Sequence, residues 1–266
     1  ITERFELTRK YSLPVLLASV PTFALGLITG FTYSIPLGML AALGVTVIYT
    51  VLNILRARWW LWTIALLNSI IAFFAFFNLE LMQKWNVFFG YQTLFLSLLF
   101  LLPDLFLKKD LTADKEWRWP PRVYGVVFTL YTSMVVIVQN EATHAAICFG
   151  VYALFFAAYT FAQRKATLGY LPTVYLPLSI IYALNYFNMD AWLPALTALA
   201  VLYFIIGVAV RSKEKWSLVL RNSALALGTI LSFSALFLLK ESGGWYALVV
   251  GLLFLACLLY TSPSPR

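Results

Sequence analysis

Charged residues are scarce in this sequence. They make up 11% of its 266 residues, against 62% hydrophobic ones, where a soluble domain carries about 25%. A chain with so little polar surface cannot coat a globule and must use lipid as its solvent. The hydrophobic residues also lack the period-two alternation of an outer-membrane barrel, which leaves helices to satisfy the backbone. Histidine occurs once, at His144, and cysteine twice, at Cys148 and Cys257. That excludes a site built on two imidazoles, a disulfide framework and a paired-cysteine metal site. No glycine-rich phosphate loop is present either, and Gly243-Gly244 reads as a turn.

What the chain does hold is a series of apolar runs, each near the length of about 20 residues that a helix needs to cross the hydrocarbon core. Ten can be read: Leu13–Tyr33, Ile35–Leu55, Trp59–Phe77, Val87–Leu107, Val123–Val138, Ala142–Phe161, Leu171–Phe187, Ala191–Val210, Ser223–Leu239 and Trp245–Tyr260. The expected fold is therefore all-α, a polytopic transmembrane helical bundle of about ten spans. The chain opens at Ile1 without an initiator Met, and its end, Leu258 to Arg266, reads like a translated sequencing adapter. We expect residues 1–260 to be one transmembrane domain, a piece of a longer protein, and 261–266 to be a non-native tail.

The net charge of +8 is unevenly placed. If the spans alternate, sixteen of the nineteen Lys and Arg residues fall on one side. They precede the first span (Arg4, Arg9, Lys10), or lie between spans two and three (Arg56, Arg58), four and five (Lys108 to Arg122), six and seven (Arg164, Lys165) and eight and nine (Arg211 to Arg221). The opposite connections hold Lys84 and Lys240. The positive-inside rule then places the basic loops and the amino terminus in the cytoplasm, in the cell membrane. The nine tryptophans cluster near predicted span ends, as indole prefers the headgroup region. Glu116-Trp-Arg-Trp-Pro-Pro121 is expected to lie along the headgroups. The basic surface suits anionic lipid; no nucleic-acid partner is expected.

The outer connections resemble one another: Asn78-Leu-Glu80, Asn140-Glu141, Asn188-Met-Asp190 and Lys240-Glu241-Ser-Gly-Gly244. Glu141 to Asp190 is 49 residues and Asp190 to Glu241 is 51, which predicts a tandem array of helical hairpins in one orientation. Small residues at intervals of four, Ala18, Thr22, Gly26 and Gly30, predict close helix packing within the chain or in a homo-oligomer.

Three groups are candidates for chemistry. Glu141, His144 and Cys148 share a helical face at the outer end of span six, where they could relay a proton or contribute to a metal site. Too few further ligands exist, so no metal and no cofactor are expected, and helix capping explains Glu141. Asp104 is the acid inside a predicted span, with Lys108 four residues on as an interfacial ion-pair partner. Span seven carries Tyr175, Ser179, Tyr182 and Tyr186 at helical spacing beside Asn185, a polar stripe fit for a ligand path or for interhelical hydrogen bonds. Short outer loops disfavour glycosyltransferases and polymer ligases, and His144 lies too near the surface for an intramembrane serine protease. The expected role is a non-catalytic membrane scaffold or the anchor of a longer polypeptide. A small-molecule permease is the alternative, and a lipid- or glycan-modifying membrane enzyme comes third.

Overall fold

The computed structural model describes residues 2–56, 59–106, 114–210 and 214–238, with short stretches at 244–245, 248–252 and 254–255. Every regular element among them is helical. Seven described helices are long and apolar enough to cross a membrane, the character of a multi-pass membrane protein. They are Ile35–Ile54, Trp59–Phe77, Trp117–Gln139, Ala142–Gln163, Ala166–Tyr186, Trp192–Ala209 and Glu214–Ser234. These correspond to the second, third and fifth to ninth predicted spans.

The chain divides into two compact units, 1–128 and 129–266. In the first, α1 (Thr2–Tyr33) and α2 (Ile35–Arg56) meet through Ser34 alone. Pro36 cannot donate a backbone N–H, while the Ser34 N–H still reaches the Gly30 carbonyl at 3.1 Å. The fold-back is tight enough that a Cβ on Gly30 would lie 3.2 Å from the Gly38 backbone, and one on Gly38 would enter the Phe31 ring. At Gly30 the stripe of small residues is therefore occupied within the chain. Next, α3 (Trp59–Phe77) packs along α2. Val45, Tyr49, Leu61 and Ala65 form the core they share, and the Tyr49 hydroxyl lies 3.0 Å from Ser19 Oγ on α1.

The fourth predicted span is not a single helix. After the short α4 (Glu80–Gln83), α5 runs Phe89–Leu101 for 13 residues, and a separate turn, α6, occupies Pro103–Phe106. The proline ring removes a donor and clashes with the preceding turn, which ends α5 where the hydrophobic run continues. Leu66 and Ile70 of α3 meet Leu96 and Phe100 of α5, with Phe73, Phe74, Tyr124 and Phe128 packed round them. Glu116–Pro121, expected to follow the headgroups, is part of α7 (Asp114–Gln139). Pro120 and Pro121 lie past the first turn of that helix and each removes an intrahelical bond; the Trp117 carbonyl that Pro121 leaves without a donor accepts from Trp62 Nε1 at 3.0 Å.

In the second unit, α8 (Ala142–Gln163) ends at Arg164 in left-handed conformation (φ 51°). A 3₁₀ turn, Ala166–Gly169, leads into α9 (Tyr170–Tyr186), followed by α10 (Trp192–Ala209) and α11 (Glu214–Leu238). The core of the last pair is Leu193, Leu196, Leu199, Ala200 and Tyr203 against Ala224 and Leu231, with Val250 from beyond α11 joining it. Gly207 lets the two helices close, since a Cβ there would sit 3.2 Å from Leu220 Cβ.

Within the units the closest pairs are α2 with α3, α8 with α9 and α10 with α11, each joined at a basic connection. The acid-bearing turn Asn188–Asp190 joins α9 to α10, which touch far less. Recurrent acid turns were the sequence signal for hairpins, yet these tight pairs close at the other end. Lys108 and residues 261–266 lie outside the described residues, as does half of the tenth predicted span.

Candidate functional site

The polar stripe of α9 divides into a closed half and an open half. Tyr175 is buried among α8 rings, with Phe149, Tyr152 and Phe156 at centroid distances of 6.0, 5.2 and 5.6 Å. Its hydroxyl lies 3.3 Å from Ser133 Oγ. One turn on, Ser179 donates to the Ala146 carbonyl at 2.8 Å. Gly150 makes room for that contact, since a Cβ there would come within 3.1 Å of Ser179 Oγ. Both polar groups therefore fasten helices together, the glue role the sequence offered beside a path. The first turn of α9 is further fixed by Thr173, whose Oγ1 lies 2.8 Å from Ser223 Oγ of α11.

Beyond Ser179 the stripe opens. Tyr182, still against Phe149 at 5.7 Å, and Asn185 border a concavity of about 570 Å³ at the acid-turn end of the second unit. Asn140, Asn188, Asp190 and Trp192 complete its polar rim, and Ile181, Leu184 and Met189 form the apolar part of the wall. The backbone explains two of the asparagines. Asn140 follows α7 and Asn188 follows α9, with φ of 51° and 53°. Asn188 donates to the Asn185 carbonyl at 3.1 Å and Met189 to that of Leu184 at 2.9 Å. This is the bond pair of a Schellman cap, in which a left-handed residue ends the helix and Asn substitutes for Gly. The caps turn the chain sharply and leave both amides at the rim. Trp192, at the start of α10, is half-buried against the α10–α11 core.

The other candidates separate. Glu141 and His144 do meet, with Oε2 and Nε2 3.0 Å apart on an exposed face. Cys148 does not join them, for its thiol is fully buried. Among the described residues no three His, Cys, Asp or Glu side chains converge on a point that could hold a metal. Asp104 lies in α6, and its side chain is outside the described residues, so the pairing with Lys108 is too.

Sequence reasoning named Tyr182 and Asn185 but read Asn140, Asn188 and Asp190 only as turn markers and Trp192 as an interface anchor. The available signal was Asn at the end of an apolar run, the residue that tolerates left-handed backbone. No family model, curated protein or solved structure matches the chain.

Proposed function

We propose that the chain is a non-catalytic membrane domain, a scaffold or the anchor of a longer polypeptide. The observation that carries this reading is the use of the interior polar groups. Ser179 is bound to the α8 backbone, and Ser217 to the Gly207 carbonyl at 2.6 Å. Thr93, Ser97, Thr160 and Thr197 donate to carbonyls of their own helices. The first two bonds tie helix to helix, the others return hydroxyls to their own backbone, and none is offered to a passing solute. Below Tyr182, rings of Phe149, Tyr152, Phe156 and Tyr175 fill the space a permeation path would need. The buried Cys148, apart from the Glu141–His144 pair, likewise gives no support to an enzyme.

With this reading go the ten-span path, the tandem hairpin array and an amino terminus in the cytoplasm, at the cell membrane. Anionic headgroups would meet the basic loops, and a second copy is a partner through exposed helix faces. The functional test is flux: the chain in liposomes should pass no solute saturably. Saturable uptake that is lost on Tyr182→Phe or Asp104→Asn, at unchanged protein content, would replace the scaffold with a permease.

A further inference from the structure

We propose that the concavity at the acid-turn end of the second unit binds a neutral saccharide, either free in solution or as the headgroup of a glycolipid. This goes beyond the scaffold reading and does not depend on it. The volume of about 570 Å³ lies in the range of small-ligand sites, about 300–1,000 Å³. The rim chemistry selects among ligands of that size. Asn140, Asn185 and Asn188 contribute three amides, each with a carbonyl acceptor and two N–H donors. Among the described residues no group hydrogen-bonds any of these side-chain amides, so that capacity is left to water or a ligand. An apolar ligand would strip water from the amides and return nothing. Anions meet no Lys or Arg among the residues lining the concavity. A bare divalent cation needs about six oxygens, including more charge than one carboxylate supplies.

A ring of vicinal hydroxyls fits what remains. Each hydroxyl both donates and accepts, matching the two sides of an amide. The indole of Trp192 and the ring of Tyr182 are flat apolar bodies with a polar edge, suited to the C–H face of a pyranose. Trp192 is steadied from behind by the α10–α11 core, so its ring is positioned before any ligand arrives, which lowers the ordering cost of binding.

The test uses the full chain in a detergent without a sugar headgroup, since a maltoside would compete. Neutral mono- and disaccharides, an acidic sugar and a nucleoside are titrated by calorimetry, with saturation-transfer NMR to find the ligand protons in contact. A parallel arm places a glycosyl diacylglycerol in nanodiscs beside its unglycosylated parent. Saturable binding of a neutral saccharide is expected in at least one arm, and which arm responds identifies the source. Asn185→Ala and Asn188→Gly should each weaken it at least tenfold; the second removes the amide while glycine keeps the left-handed cap. Asn78→Ala, at a connection of the other unit, should leave affinity unchanged, and thermal unfolding of each variant should match the parent. Binding of no saccharide in either arm overturns the proposal. So does affinity indifferent to both rim variants, or a preference for the acidic sugar or the nucleoside.

Discussion

A proline within a helix withdraws one N–H, and the carbonyl four residues earlier is left without its donor. In hydrocarbon no water replaces it, so another protein group must. Pro121 strands the Trp117 carbonyl in this way, and Trp62 Nε1 donates to that oxygen at 3.0 Å. Pro177 strands the Thr173 carbonyl, which the Tyr203 hydroxyl approaches at 3.5 Å. Trp62→Phe should therefore cost about 1–3 kcal/mol, the range for leaving a buried acceptor unmet. In a Pro121→Ala background residue 121 supplies its own N–H, and the same substitution should cost clearly less. Unfolding of the four proteins in mixed micelles measures the coupling. Equal costs in both backgrounds would show that Trp62 acts through ring packing on Trp117, 5.3 Å away, instead of through its N–H. The sequence displayed the prolines and an indole belt. It could not display that Trp62 serves a carbonyl 55 positions away, because that pairing exists only once α3 and α7 are packed.

For the elements, local chemistry decided more than apolar length did. The run Val87–Leu107 has the composition of a span, yet Pro103 divides it into α5 and α6. The stripe Tyr175, Ser179, Tyr182 was legible as one face from its spacing alone. What it faces was not, since Gly150 and Ala146 of α8 give no sign in the sequence that they receive Ser179. Two predictions belong here. Ser179→Ala should cost about 0.6 kcal/mol, the usual worth of an interhelical hydrogen bond in a membrane bundle. Gly150→Leu should be far worse, because it also drives α8 from α9, and thermal unfolding in detergent ranks the two. At the α9 cap, Asn188→Gly should be near neutral. Asn188→Val should cost about 1–2 kcal/mol, since a Cβ-branched residue resists φ of 53°. Chemical denaturation of the purified chain separates that pair, and equal stability of both variants would count against the cap.

At the scale of the whole molecule, the composition was sufficient for an all-helical membrane chain, while the number of crossings depends on what α5 and α6 do. Between Asn140 and Lys213 lie α8, α9 and α10, helices of 22, 17 and 18 residues, with a 3₁₀ turn extending the second to a 21-residue candidate span. Three crossings are an odd number, so reporters after Asn140 and after Lys213 should lie on opposite faces, with the basic one cytoplasmic. This expectation does not use the first half of the chain. A reporter at Lys84 does. Residues 89–106 comprise α5, Leu102 and α6, and a nearly collinear path of that length covers about 27 Å. That is close to the hydrocarbon thickness of about 30 Å, and a short span can be met by local thinning of the bilayer. If the broken helix crosses, α5–α6 and α7 together make two passages between Lys84 and Asn140, and both reporters share a face. If it re-enters instead, α7 alone separates them and they fall on opposite faces. We expect the shared face. The Lys84 connection bears an acid at Glu80 like those at Glu141 and Asp190, and re-entry would carry Arg56 and Arg58 to the side with few basic residues. Accessibility of single cysteines at the two sites to an impermeant thiol reagent, in intact cells with Cys148 and Cys257 replaced, decides between them.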